Sequence, residues 1–271
     1  PENAVVFTQK LSDVYRYILK SQEQGCSFWD DGHVFVLGGS VVKTIGLLGG
    51  MSWESTVTYY KEINERVAKA LGGLHSAKIV LYSVDFAEVE EQQAKGDWAG
   101  SAELLGRAAK GLVAAGADAI VICTNTMHKV ADEVERAAGV SLLHITDATA
   151  DALLAAGIHR TALLGTKYTM LQDFYKSRLI ARGLDVLIPN PEDVEVVNRV
   201  IYDELCLGVI RDESRQEFVR IIRDLQAKGA EAVILGCTEI GLLVGQKDSP
   251  LPVFDTTILH AEKAAAFAVS D

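Results

Sequence analysis

Two short segments of this chain bring reactive and hydrogen-bonding side chains to the end of an apolar run. Gly116-Ala-Asp-Ala-Ile-Val-Ile-Cys-Thr-Asn-Thr126 reappears as Gly229-Ala-Glu-Ala-Val-Ile-Leu-Gly-Cys-Thr-Glu239. A cysteine so placed can serve as a thiolate base, a nucleophile or a small packed hydrophobe. The threonines, amide and carboxylate beside it can hold a polar ligand or cap a helix. Two such tips suit chemistry that needs two groups facing each other across one substrate.

The register of the repeat decides which side chains pair. Cys237 lies eight residues after Gly229, and eight residues after Gly116 comes Thr124, with Cys123 one place earlier. Side chains alternate between faces along an extended segment. Thr124 is therefore the expected counterpart of Cys237, and Cys123 is expected to point away, toward a helix layer. A helix beginning just after Glu239 is expected to lower the Cys237 thiol pKa. Cys26, in the N-terminal segment, and Cys206, on a helical face, receive no role.

Two further echoes frame the tips. Lys43-Thr-Ile-Gly-Leu-Leu-Gly-Gly50 parallels Arg160-Thr-Ala-Leu-Leu-Gly-Thr166, and His144-Ile-Thr-Asp-Ala-Thr149 parallels Val253-Phe-Asp-Thr-Thr257. Three landmarks in the same order mean two similar halves. The first, over 43–147, reads as strands at 44–48, 79–86, 119–122 and 142–145, with helices at 53–71, 98–115 and 127–138. The second, over 148–255, reads as strands at 161–164, 185–188, 232–235 and near 253–254, with helices at 148–156, 168–182, 192–207 and 213–228. A last helix, within 256–271, is expected to pack back on the first half. Residues 1–41 resemble nothing downstream, contain a candidate helix over 11–20, and are set aside from the functional reading. Continuous apolar strands alternating with helices predict an α/β fold: two similar domains of parallel sheet flanked by helices, related by a pseudo-twofold axis, with the site between them. In such sheets ligands gather beyond the carboxyl ends of the strands, where every landmark lies.

Composition narrows the function classes. A formal charge of -11 over 271 residues argues against nucleic acid, whose phosphates demand clustered Lys and Arg. No apolar run approaches the roughly 20 residues of a membrane span. Four cysteines without a C-x-x-C pair predict neither a disulfide scaffold nor a structural zinc site. A reduced, cytoplasmic protein without metal is the expectation.

Gly46-Leu-Leu-Gly-Gly-Met-Ser-Trp-Glu-Ser-Thr56, Cys123-Thr-Asn-Thr-Met-His128 and Gly236-Cys-Thr-Glu239 together resemble the aspartate/glutamate racemase family, with the likeness running over essentially all of 43–270. The resemblance implies racemisation without pyridoxal phosphate or any other cofactor, a small acidic amino acid held between the halves, and a homodimer. In that family two cysteines, one per half, exchange the Cα proton. Aligning Asn125-Thr126-Met127-His128 on the usual Cys-Asn-Thr-x-His puts Thr124 in the cysteine's place. Resemblance and internal repeat thus agree that Thr124 is the counterpart of Cys237, and the resemblance implies that the two are the catalytic pair. A threonine hydroxyl is a far weaker acid than a thiol, so it delivers a proton more readily than it removes one.

The supporting groups each have a plain alternative. Gly49-Gly50-Met51-Ser52 forms a strand-to-helix turn whose N–H groups could hold a carboxylate, or a merely structural turn; by resemblance Met51 contacts substrate. Asn125, Thr126, Thr238 and Glu239 flank the tips and are expected to bind the α-carboxylate and ammonium, with helix capping as the alternative. Gln93, in a loop beyond a strand end, resembles the family's polar contact, against a solvated charged face. Lys167 resembles the family's cation for the side-chain carboxylate, against an exposed lysine. His128, a turn into its helix, is placed to orient or protonate the first tip, against an exposed helical histidine. Beside the racemase reading stand a related dicarboxylate isomerase or decarboxylase and a ligand-binding homologue without catalysis.

Overall fold

The computed structural model describes residues 28–30, 33–35 and 42–270. The candidate helix over 11–20 and Cys26 lie outside the described residues. Within the N-terminal segment, β1 (Phe28–Asp30) and β2 (His33–Phe35) pair antiparallel, with Trp29 opposite Val34.

The body, Val42–Ser270, is a compact unit by itself. Its first half runs β3 (Thr44–Gly49), α1 (Trp53–Leu71), β4 (Lys78–Ser83), α2 (Phe86–Lys95), α3 (Trp98–Ala114), β5 (Ala119–Ile122), a 3-10 turn over Thr126–Val130, and α4 (Ala131–Ala138). Helix α5 (Ile145–Ala155) leads into β6 (Arg160–Gly165), α6 (Lys167–Leu171), α7 (Asp173–Ala181), β7 (Asp185–Leu187) and α8 (Pro191–Asp203). A 3-10 turn (Leu205–Leu207), α9 (Asp212–Ala227), β8 (Ala232–Gly236), α10 (Ile240–Leu243), β9 (Val253–Asp255) and α11 (Thr256–Val269) complete it.

Both sheets are parallel and wound in the same order. The first is β4-β3-β5, extended by a bridge from Ile120 to Leu142; the second is β7-β6-β8-β9. Their registers repeat residue for residue. Thr44 pairs with Lys78 as Arg160 pairs with Asp185, and Ile45 pairs with Ala119 as Thr161 pairs with Ala232. Ile120 faces Leu142 as Val233 faces Val253. The third strands are offset by 113 positions, from Ala119 to Ala232, and Thr124 and Cys237 are separated by the same count.

Each half lends its last helix to the other. On one face of the first sheet, Ile45, Leu47 and Val121 pack with Tyr59 and Ile63 of α1 and with Ala261, Ala264 and Ala268 of α11. On the second sheet, Leu163, Ala232 and Ile234 pack with Ile145, Ala150 and Leu153 of α5 and Tyr175 of α7. The small residues of α11 let it lie close against both α1 and the sheet. The opposite faces are filled by α2, α3 and α4 in the first half and by α8 and α9 in the second.

Several expected boundaries differ. The chain after Ser83 does not continue as strand to 86, nor is the segment bearing Gln93 a loop: Asp85 caps α2 by accepting from Ala87 N–H, and Gly96 closes it in a left-handed conformation. Residues 142–145 make a single bridge instead of a strand, because the His144 side chain caps α5 and Ile145 already opens that helix. The division expected at 147/148 therefore falls inside α5. The helix expected over 168–182 breaks at Gln172, whose backbone is extended and whose side-chain carbonyl accepts from Lys129 Nζ at 2.6 Å.

Candidate active site

Both tips open on one narrow cavity with a free volume of about 20 Å³. Thr124, Asn125 and Thr126 line it from the first half, and Gly236, Cys237 and Glu239 from the second. Met51, Gln93 and Thr166 join them, and Phe86, Ile201, Tyr202 and Cys206 supply the less polar wall. Glycine at the strand ends permits this closeness: a Cβ on Gly165 would stand 2.7 Å from the Gly236 carbonyl oxygen.

The two cysteines of the repeats part company. Cys237 lines the cavity, whereas Cys123 is fully buried in the core against Ile45, Leu47, Tyr59 and Ala261, its thiol directed at the Val121 carbonyl 3.7 Å away. Thr124 takes the cavity position in the first half.

Glu239 organises the second tip. Its Oε2 accepts from Cys237 Sγ at 3.0 Å and from Thr238 Oγ1 at 2.9 Å, while Oε1 accepts from Ser52 Oγ of the first half at 2.6 Å. The expected lowering of the thiol pKa does not occur in this state. Burial, then the adjacent Glu239 charge, raise Cys237 well above the usual thiol range. Helix α10 starts only at Ile240 and spans four residues, too short to offset them. Thr238 does not line the cavity; its hydroxyl is spent on Glu239.

The first tip contains hydroxyls and an amide where the second has a thiol and a carboxylate. Thr126 Oγ1 lies 3.1 Å from Thr166 Oγ1, the hydroxyl mirror of the Glu239–Ser52 contact. Asn125 Nδ2 donates to Thr256 Oγ1 at 3.0 Å. Thr256 gives its one hydroxyl proton to the Leu235 carbonyl at 2.8 Å, so it can only accept from Asn125, and the amide orientation is fixed. Asn125 Oδ1, buried and without a partner, is left as an acceptor at the cavity wall. An orphaned buried acceptor costs about 1–3 kcal/mol, which a donor on a bound molecule would recover.

Other expected contacts are only partly assembled. The Gly50 N–H, read as free to hold a carboxylate, donates to Thr56 Oγ1 at 2.9 Å. Gln93 is buried on α2, donating to Met127 Sδ at 2.9 Å. Lys167 does not line the cavity: it borders a neighbouring opening that shares Tyr202, and its ammonium pairs with Glu195. His128 is buried behind Thr124, not exposed. Sequence reasoning missed Ser52 as a partner of Glu239, and missed Tyr202 and Cys206, whose helical spacing reads as core. Thr166 was missed as well, although its place directly after the repeated strand was the signal that could have found it.

A duplicated α/β body whose polar groups gather at strand ends around one small cavity has the architecture of a racemase-type isomerase. The chain belongs to the Asp/Glu/hydantoin racemase family, which it matches over residues 48–264. Among solved structures it is similar to a candidate Asp/Glu racemase from Yersinia pestis, at 56% identity and TM-score 0.79, covering 84% of this chain and 100% of that one. An aspartate racemase homologue from Pyrococcus horikoshii is 38% identical with TM-score 0.74, again over 84% and 100% of the two chains. The broad specificity amino-acid racemase RacX of Bacillus subtilis is 22% identical over 229 residues, 82% of this chain and 96% of that protein.

Proposed function

We propose that this protein is a cofactor-independent racemase of acidic amino acids, aspartate or glutamate, with Cys237 and Thr124 as the two proton-transfer groups. The observation that carries the reading is that these two residues occupy equivalent positions of the two halves and line one cavity. Family membership and the likeness to amino-acid racemases support the reaction class.

The geometry suggests how the proton moves. The substrate ammonium donates to Asn125 Oδ1, the acceptor left without a partner, and its positive charge offsets the burial and the Glu239 charge that keep the Cys237 thiol protonated. The thiol can then pass its proton along the existing 3.0 Å contact to Glu239 Oε2 and become the base. The Cα–H bond breaks toward Sγ, and the Thr124 hydroxyl gives its proton to the opposite face of Cα, inverting the centre; as product leaves, water reprotonates the Thr124 alkoxide and Glu239 releases its proton to solvent, restoring both groups. Thr126, Thr166 and the turn at Met51 are proposed to hold the α-carboxylate. A dicarboxylate without an ammonium would leave Asn125 Oδ1 unserved, which favours the amino-acid reading over an isomerase or decarboxylase of the same superfamily.

Lys167 is proposed for the distal carboxylate. It must then leave Glu195, an exchange that costs little because exposed ion pairs are worth about 0–1 kcal/mol. Lys167→Met should raise KM for aspartate while leaving KM for an uncharged analogue unchanged; an unchanged preference for the dicarboxylate removes Lys167 from the site. Trp53, Val57, Tyr60 and Leu81 form an exposed apolar face at edge strand β4, and it is proposed as the contact with a second copy in a cytoplasmic homodimer. Incubation with L- and D-aspartate and glutamate in deuterated water tests the activity: deuterium at Cα with loss of optical rotation is expected, and its absence from all four overturns the reading.

A further inference from the structure

Behind the first tip lies a group of three buried histidines, His128, His144 and His260. The ring centroids of His128 stand 4.5 Å from His144 and 5.5 Å from His260. Their hydrogen bonds fix their protons. The Ile145 backbone N–H donates to His128 Nε2 at 3.2 Å, so that nitrogen is bare. Nδ1 must therefore carry the proton, and it donates to the Thr124 carbonyl at 2.8 Å. The neighbours are settled in the same way. His260 Nε2 donates to the Leu143 carbonyl at 2.5 Å, which leaves Nδ1 to accept from Tyr59 OH at 2.9 Å. His144 Nδ1 accepts from Thr146 N–H at 3.2 Å. Burial, and the proximity of the other rings, hold the His128 pKa well below the usual histidine range.

With both nitrogens bound to backbone, His128 has no lone pair or proton to offer a substrate. It is a strut. One end grips the carbonyl of the tip residue. The other receives the first amide of α5, the helix that crosses to cover the second sheet. The position equivalent to His128 in the second half is Gly241, where a Cβ would meet the Asp255 carboxylate at 2.4 Å. There the Cys237 carbonyl accepts from the Ile240 backbone N–H at 3.1 Å, with no side chain involved. The strut therefore serves the Thr124 tip alone.

We propose that His128 is a positioning residue that holds Thr124 at its proton-delivering distance through a fixed Nδ1–H···O=C bond, and so supports the half-reaction on the Thr124 face only. This rests on the reading of Thr124 and Cys237 as opposed proton-transfer groups. Two variants separate the ends of the strut. His128→Asn places its amide N–H near the former Nδ1 and keeps the donor to Thr124. His128→Gln places its amide near the former Nε2, where it can serve Ile145 but not Thr124. A misplacement of about 1 Å costs on the order of a hundredfold in rate.

The measurement is Cα deuterium incorporation from each enantiomer, with the hand of the product determined. His128→Gln should lose racemisation by about a hundredfold, yet keep exchange with retention from the enantiomer whose Cα–H faces Cys237. His128→Asn should recover most of the racemisation. Equal loss of exchange on both faces in folded variants, or undiminished racemisation in His128→Gln, would overturn the proposal. Absence of any exchange in the wild type would instead sink the racemase reading. The strut is then read without activity, from the 15N shifts of His128 in the intact protein. A neutral Nδ1–H ring is expected, and an Nε2–H or doubly protonated ring at neutral pH refutes it whether or not the variants fold.

Discussion

The two tips share a backbone and differ in chemistry. Strand register, turn position and the 113-residue spacing are common to both, yet one presents Thr-Asn-Thr and the other Cys-Thr-Glu. At the second tip a thiol leans on a carboxylate that also reaches across to Ser52. At the first, among the described residues, no ionisable side chain bonds the Thr124 hydroxyl, and the residue is held through its carbonyl by neutral His128. Duplication thus supplies the geometry of two opposed groups, while substitution decides which can become a base. The second tip carries a thiol and a carboxylate, the first only hydroxyls and an amide.

The largest expected effect follows from removing the proposed base. Cys237→Ser should lower racemisation by at least about a thousandfold, the middle of the range a positioned acid–base group supplies. The circular dichroism spectrum and melting temperature should hardly change. The serine hydroxyl keeps the contact with Glu239 but ionises far less readily. Retention of more than a few per cent of the rate in a folded variant would take Cys237 out of the mechanism and erase the contrast between the tips.

Changing the other tip should have a smaller and one-sided effect. Thr124→Val keeps the shape and loses the proton, so the enantiomer whose Cα–H faces Cys237 should still exchange, while inversion falls by about a hundredfold. Thr124→Cys makes the tips chemically alike and should raise kcat for the slow enantiomer. Equilibrium between free enantiomers requires equal kcat/KM ratios, so any wild-type asymmetry appears as unequal kcat and KM separately. Equal exchange rates for both hands in the wild type would contradict a single-thiol mechanism.

Much of this was legible in the sequence because the signal was duplicated. Comparing Gly116–Thr126 with Gly229–Glu239 brings Thr124 opposite Cys237, and strand pairing reproduces that count. Helix α1, with Ser52 before it and Gly72 after it, was readable to the residue. What escaped depends on contacts between distant segments. Helix α2 is short, and its charged residues mask the Asp85 cap and the buried Val89–Gln93 face. The Ser52–Glu239 bond spans 187 positions, and nothing local announces it. The thiol pKa was misjudged in direction, because the sequence shows a helix start but not the depth of burial or the carboxylate beside the sulfur. The C-terminal helix was expected on the first half and the helix at 148–156 within the second, but the opening of α5 at Ile145 was not read.

The smallest effect should come from the cysteine that the family pattern places beside the site. Cys123 is one position from Thr124, but the alternation of the extended chain turns it into the apolar layer between β3, α1 and α11. Burial pushes its thiol far above the usual range, so it is a packed hydrophobe with no thiolate to contribute. Cys123→Ala removes one sulfur from that layer and leaves a small cavity, at a cost of about 1 kcal/mol, which in a chain of this size lowers Tm by roughly 2–4 °C. Turnover of both enantiomers should stay within about threefold of wild type, since a change of 1.4 kcal/mol in a barrier would be needed for tenfold. Side-by-side initial rates for Cys123→Ala and Cys237→Ser decide the matter. A comparable collapse in both would mean that a one-residue bulge shifts the first tip during catalysis and brings Cys123 to the substrate, making the tips two thiols after all.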